Sequence, residues 1–293
     1  MNFAVSFDGE SAQIYRKGQG LVLREPTPQG MIAFGRMIDT EAKRQFFRDL
    51  FKRVKEGTRQ NCVFLIPCSL TTAELGEYKK VAYSALGEVE FIPRAVAAAN
   101  FWGVLNKVSL IVDIYECGTE VCLVQDGSII HGGTIDEGMG LMKEAIRGFV
   151  AQNHQLKITD DVAKTAIEEV GSLFTNMKTQ ITLRGVNLET AQHDEIIFTA
   201  QDAYDALSQI YNRISKAIQK VLSHAHIDTV AQVKTGNFFV SGSGSQILGL
   251  KEFFLETLNL KITTSENARN AAILGGGALL NDLSIIKSIV SKN

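Results

Sequence analysis

The residues able to do chemistry in this sequence gather in turns. Ser241-Gly242-Ser243-Gly244-Ser245 stands between an apolar strand signal, Phe238–Val240, and a helical pattern carrying Leu248, Leu250, Phe253 and Phe254. Glycines at such a strand-to-helix junction let a backbone approach a ligand closely, and they equally permit a tight turn. Both readings stand. Asp113 lies at the end of the apolar run Val108–Ile114, and Asp8 and Gly9 follow the first apolar run of the chain. A carboxylate at a strand end forms a turn or is directed at a cation, and spacing alone leaves both open. His224 and His226 flank Ala225 with no cysteine or carboxylate cluster beside them, which predicts exposed helix-end histidines rather than a metal site. Cys62, Cys68, Cys117 and Cys122 lie in or beside apolar runs without CxxC spacing, the pattern of reduced, packed thiols.

Composition narrows the function classes. With 293 residues, 45% of them hydrophobic, the chain can bury a large core and is long enough for two domains. Lysine and arginine total 30 against 32 aspartates and glutamates, with no basic block, so the footprint of a nucleic-acid binder is missing. The opening MNFAVSF reads as a strand rather than a signal peptide, and no apolar run reaches membrane-spanning length. A cytoplasmic protein is expected.

The elements that must position these turns follow from periodicity. Asn2–Phe7, Ala12–Lys17 and Leu21–Glu25 alternate with tight turns as an antiparallel meander. Asp39 and Thr40 can cap a helix with Phe46, Phe47, Leu50, Phe51 and Val54 on one face. Cys62–Ile66 is a buried strand, Thr71 and Glu74 have capping-box spacing for a helix to about Leu86, Glu88–Ile92 is a strand and Ala95–Phe101 a small-residue helix. From Val108 the pattern restarts: strands Val108–Ile114 and Thr119–Gln125, an Asp126-Gly127 turn, strand Ser128–Gly132, and a helix from about Leu141 to Gln152. A hairpin feeding a helix thus occurs twice, which implies two related lobes and a cleft between them. Thr159 to Leu222 reads as a helix, strands Lys178–Val186 and Asp194–Phe198, and a long helix opened by Thr199 with Asp202, an inserted subdomain. The last helix places Leu283, Ile286, Ile289 and Val290 on one face, for packing on the first lobe or, alternatively, for a membrane surface or partner.

Several segments carry a family resemblance. IVDIYECGTEVCLVQDGSII is similar to the second phosphate loop of MreB-type bacterial actins. YRKGQGLVLREP resembles the strand after their first phosphate loop, FIPRAVAAAN the helix linking their domains, RGVNLETA a turn of their inserted subdomain, and VSGSGSQILGLKEFF their adenosine loop. Order and spacing agree over most of the chain. The resemblance implies an α/β, actin-like two-domain fold, each domain a mixed sheet flanked by helices around a central cleft. Domain I would be 1–107 with 273–293, its outer subdomain (about 26–58) cut down; domain II would be 108–272, with the insertion at about 153–222.

It also implies ATP or ADP with magnesium in the cleft, held by Asp8, Gly9, Asp113, Gly118, Thr119, Gly242, Ser243 and Gly244, with Asp8 and Asp113 as the magnesium carboxylates. The family's first loop begins with Asp, a spacer, Gly and Thr, where this chain has Ser6, Phe7, Asp8 and Gly9; Asp8 lies on the same strand face as Ser6 and is the one available substitute. Tyr115, Glu116 and Cys117 replace glycines of the second loop, although Asp113 and Thr119 are kept. Arg94 stands where the family places the glutamate that orients the attacking water, and an arginine cannot accept a proton. Lys164 and Ile167 stand where a glutamate and a lysine would hold the ribose and base. The expected protein is therefore an MreB-like cytoskeletal scaffold that self-associates into filaments with weak or absent ATP hydrolysis, with membrane-associated protein partners or peripheral membrane contact at the inner face. Two alternatives stand beside it, an active actin-like ATPase of cell shape and a non-polymerising adaptor on the same fold.

Overall fold

A computed structural model of the chain describes residues 2–28, 31–32, 37, 40–54, 61–175 and 177–293. The first sheet is built from β1 (Phe3–Phe7), β2 (Ser11–Arg16), β3 (Gly20–Pro26), β4 (Cys62–Ile66) and β5 (Val89–Pro93), interleaved with α1 (Glu41–Val54), α2 (Thr72–Ala85) and α3 (Arg94–Phe101). Its order is β3-β2-β1-β4-β5, antiparallel across the meander and parallel from β1 to β5. The second sheet uses β6 (Ser109–Ile114), β7 (Thr119–Gln125) and β8 (Ser128–Ile135). After it come α4 (Met139–His154), β9 (Leu156–Lys157), α5 (Asp160–Val170), β10 (Gln180–Asn187), β11 (His193–Thr199), α6 (Ala200–Ser223) and α7 (Ile227–Lys234). β12 (Phe238–Ser241) returns to pair parallel with β6, giving β12-β6-β7-β8; α8 (Leu250–Leu258), α9 (Ala271–Leu279) and α10 (Leu283–Lys292) complete the chain. The meander plus a parallel strand is thus built twice, with β1 matching β6.

Strand alternation sorts the side chains into layers. Phe3, Val5 and Phe7 of β1, with Phe64 of β4, face an aromatic core with Phe47, Phe51 and Tyr78. Ala4, Val63 and Leu65 face the opposite way, into a core shared with Ile111, Cys122 and Val124 of the second sheet. Helices α3 and α9 fill this shared layer. They are small-residue helices because they are buried on every side: Ala95 to Ala99 of α3 are fully buried. A Cβ on Gly275 of α9 would lie 1.8 Å from the carbonyl oxygen of Ala97, so the two backbones touch. On the far side of the second sheet, α4, α5 and α6 enclose the largest core, with Ile146, Leu207, Tyr211 and Ile214.

Local signals acted where expected. Thr71 with Glu74, and Thr199 with Asp202, form complete capping boxes, and Asp126 and Gly127 both take positive φ in the β7–β8 turn. The expected cap Asp39 lies outside the described residues, as does part of the region expected to be cut down; Thr40 accepts from the Lys43 amide. β9 and α7 are additions to the sequence expectation: β9 is only two residues long, and His226 caps α7. Ile286 and Ile289 of α10 are buried and Leu283 is 49% exposed. α10 also reaches the second sheet, since Lys292 Nζ and Asn293 Nδ2 donate to the carbonyls of Asp126 and Gly127. No single helix among the described residues is long and apolar enough to cross a membrane.

The contact between α3 and α9 makes a sharp test. Gly275→Ala should lower stability by about 1–3 kcal/mol through overpacking. Gly76→Ala, in α2 with nothing within 4 Å of the new methyl, should be neutral or stabilising by up to about 1 kcal/mol. Paired thermal melts check this; equal melting temperatures would contradict the close packing.

Candidate functional site

Ser6 and Asp113 occupy the same place in the two sheets, the penultimate residue of β1 and of β6. Both face the shared layer and both are buried. Arg94, the first residue of α3, is buried between them. Its Nη1 donates to Ser6 Oγ at 2.8 Å, and its Nε donates to Asp113 Oδ2 at 3.2 Å. The Asp8 carboxylate stands 3.8 Å from Nη1, and the guanidinium lies over the Tyr115 ring, 4.4 Å from its centroid. Burial alone would lower the pKa of Arg94, but Asp113 and Asp8 reverse that and raise it. The cation is permanent. Burial raises the Asp8 pKa, opposed by Arg94. One Asp113 oxygen, Oδ1, is buried with no hydrogen-bond partner.

A second carboxylate serves the same helix start. Glu120 of β7, paired across the ladder with Asp113, accepts from the Ala95 amide at 2.9 Å and the Cys68 amide at 3.1 Å. An acid at a helix N-terminus satisfies free amides and meets the positive end of the helix dipole. Burial, then the nearby Cys68, pushes the Glu120 pKa well above the usual carboxylate range.

Above this floor opens a cleft of about 1070 Å³, lined on the first lobe by Gly9, Glu10 and Arg24 and on the second by Glu116, Lys143 and Lys164. These charges are paired, one pair across the cleft and the others within a lobe. Glu10 meets Lys164 Nζ at 2.6 Å and Arg24 at 3.3 Å, and Glu116 meets Lys143 Nζ at 2.6 Å. For Glu10, burial is overcome chiefly by the Lys164 hydrogen bond and its pKa falls; for Glu116, burial prevails and its pKa rises. The Glu10–Lys164 pair ties the first meander to α5.

The two hairpin turns touch. Gly9 N–H donates to Cys117 Sγ at 3.2 Å, and a Cβ on Gly9 would come 2.9 Å from that sulfur. Asp8 spends Oδ1 on the amides of Glu10 and Ser11, closing its own turn. Gly118 accepts from the Tyr115 amide within the second turn, and a Cβ there would strike the Ile135 carbonyl oxygen at 2.5 Å. Thr119 is buried and its hydroxyl donates to the Glu137 carbonyl, away from the floor. Gly242, at φ 82°, and Gly244 press on the end of β6: their Cβ atoms would lie 2.1 Å from Ile114 O and 2.3 Å from Ile114 Cγ2. That close approach accounts for both glycines, and Tyr211 Oη fixes the turn by donating to Gly244 O at 2.7 Å. Ser243 lines the recess between Arg94 and Arg269.

The structure therefore brings Asp8, Arg94 and Ser243 around one recess, with Asp113 buried against Arg94 and Gly9 on the wall of the larger cleft, and engages Thr119, Gly118, Gly242 and Gly244 in holding the turns. Ile167, expected near a base, is buried in the core of the second lobe. Sequence reasoning missed Glu120, whose only signal was a charge inside the apolar strand TEVCLVQ, and the paired charges of the cleft, which come from elements distant in the chain. Chemically the floor can hold charge but cannot take up a proton at Arg94, and Asp113 is committed to that arginine.

The comparisons with known proteins agree with this geometry. The chain is 21% identical over 310 residues to the cell shape-determining protein MreB of Escherichia coli K12, covering 91% of this chain and 89% of that protein. It is 23% identical to MreB of Haemophilus influenzae, with the same coverage. Its backbone superposes on MreB5 of Spiroplasma citri, solved with ADP, with a TM-score of 0.88 at 19% identity, covering 99% and 98% of the two chains. It superposes on the MamK double helical filament with a TM-score of 0.80 at 13% identity, covering 96% and 98%. The model of the MreB/Mbl protein family matches residues 27–288, nearly the whole chain. With the doubled sheets, the central cleft and this match, the chain has the bacterial actin-like fold and belongs to the MreB/Mbl family.

Proposed function

We propose that this protein is a filament-forming cytoskeletal protomer in which Arg94 supplies, as part of the chain, the positive charge that a magnesium ion would bring to the cleft floor. The observation that carries this is the guanidinium held at once by Ser6, Asp113 and Asp8. The residues do not fit magnesium well. Asp113 Oδ1 is a buried carboxylate oxygen with no hydrogen-bond partner, and a dication bound there would face a buried cation a few ångströms away with little water to screen the repulsion.

Nucleotide is the candidate ligand because MreB5 of Spiroplasma citri has been solved with ADP and with AMPPNP. Here its affinity is weakened, since Tyr115 and Glu116 take room and add negative charge beside the phosphate turns, and Glu10 and Glu116 already neutralise Lys164, Arg24 and Lys143. Hydrolysis lacks a group at Arg94 able to orient water. Assembly needs no turnover: a head-to-tail contact that does not close yields a filament by geometry alone. MamK has been solved as a double helical filament, and the MreB relatives are cell shape-determining proteins. The same role in the cytoplasm, beneath the membrane and with membrane-associated partners, is the function inferred for this chain. The unpartnered Asp113 Oδ1 favours one rival, a magnesium-dependent ATPase.

Phosphate release separates the two. The purified protein should release phosphate from ATP and magnesium no faster than a protein-free blank, while the sedimentable fraction at high protein concentration is the same with ATP and magnesium as with a chelator. Micromolar ATP binding by calorimetry together with phosphate release would establish the ATPase, and a strictly monomeric protein would refute the filament.

A double-mutant cycle tests the internal cation. Arg94→Ala leaves the buried Asp113 carboxylate unpaired and should cost about 3–5 kcal/mol, and Asp113→Ala, which leaves Arg94 with Asp8 at 3.8 Å and Ser6, should cost less. The double variant should cost clearly less than the sum. Additive losses in chemical unfolding would show that the two residues are not partners.

A further inference from the structure

The cysteines offer chemistry that filament formation does not use. Cys68 follows β4 of the first sheet and is partly exposed; Cys122 is buried in β7 of the second. Their sulfurs lie 3.3 Å apart. Fifty-four positions separate them in sequence, and each belongs to a different lobe. We propose that Cys68 and Cys122 form an oxidisable dithiol, a modification site at which a small-molecule disulfide of the glutathione class converts the joint between the two sheets into a covalent link.

The surroundings suit this chemistry. Cys68 stands on a short segment docked firmly on the second sheet: its amide donates to Glu120 Oε1 at 3.1 Å, and Ser69 Oγ accepts from the Thr134 amide of β8 at 2.8 Å. The sulfurs are thus held in place from both sides, and closing from 3.3 Å to a bond of about 2.0 Å needs only a small shift of side chains. The Cys122 thiol donates to Cys68 Sγ, and Thr134 Oγ1 lies 3.5 Å from the same sulfur. The hydrogen bond from Cys122 overcomes burial and brings the Cys68 pKa down to about 6, while Cys122 is raised. The accessible sulfur is therefore the nucleophile and the buried one the resolving thiol, the arrangement of a redox-responsive pair. Cys62 is sealed in the aromatic core with its pKa pushed up by burial, so it takes no part.

The steps balance. The Cys68 thiolate attacks one sulfur of the small disulfide, whose S–S bond breaks to release one thiol after protonation and leaves a mixed disulfide on Cys68. Cys122 then loses its proton and attacks Cys68 Sγ, expelling the second thiol. Two protein thiols are oxidised by two electrons, and one small disulfide is reduced to two thiols.

The test uses the full chain incubated with oxidised glutathione, quenched in acid, alkylated and measured by mass spectrometry. The expected product has lost two hydrogens, keeps two alkylatable thiols, yields a Cys68–Cys122 linked peptide and melts several degrees higher until dithiothreitol reverses it. Cys122→Ser should stop at a stable glutathione adduct on Cys68, and Cys68→Ser should stay unmodified. The proposal is overturned if the natural chain keeps four thiols, if a glutathione adduct on Cys68 is its end product, or if the link involves Cys62 or Cys117. It is equally overturned if the chain purifies with one equivalent of zinc on Cys68, Glu120 and Cys122 that blocks oxidation.

Discussion

A guanidinium buried where two lobes meet is the constraint to which the rest of the molecule conforms. Arg94 is taken out of water at the start of α3, and a buried charge survives only if it is paired and hydrogen-bonded. Its partners come from both sheets, Ser6 and Asp8 from the first and Asp113 from the second, with the Tyr115 ring stacked on its face. The ends of β1 and β6 must therefore lie opposite one another across one helix start. The two helices between the sheets, α3 and α9, are rich in alanine and glycine, and their backbones touch at Gly275 and Ala97.

The same helix start gathers the other cross-lobe joints. Glu120 reaches from β7 to the free amides of Ala95 and Cys68, so one carboxylate ties the second sheet to both α3 and the end of β4. The Ser69–Thr134 contact extends the joint to β8, and the Cys68–Cys122 pair lies inside it. At the mouth of the cleft Glu10 with Lys164 repeats the motif where solvent screens it more, while the largely buried Glu116–Lys143 pair lies within the second lobe. The lobes are joined by polar contacts that a change of charge or oxidation state can reach, in addition to apolar packing.

A phosphate-binding turn works by aiming backbone amides into open space. In this chain Gly9 N–H points at Cys117 Sγ, and the β6–β7 turn carries the side chains of Tyr115 and Glu116. The fold of the MreB/Mbl family rests on the sheets and the small-residue helices rather than on these turns. Fold by itself does not imply turnover.

Much of the architecture was legible in the sequence because it rests on local physics. The apolar runs of β1, β4, β6 and β7, the capping boxes at Thr71 and Thr199, and the Asp126-Gly127 turn act over a few residues and produced the expected elements. β9 was not legible, since two residues, Leu156 and Lys157, carry no period, and α7 carries only a short apolar pattern. The sequence by itself determined that Arg94 opens a small-residue helix, that Asp113 ends an apolar strand, and that the chain doubles a hairpin motif. Only the tertiary structure decided that Arg94 turns inward onto Asp113 and Ser6, that Thr119 binds the Glu137 carbonyl, that Gly242 and Gly244 serve the close approach to Ile114, and that Cys68 meets Cys122. Side-chain direction and pairing between residues 18 to 154 positions apart are set by how the two sheets close on α3 and on the cleft. Nothing in the local chain encodes that closure, because it is a property of the packed layers as a whole.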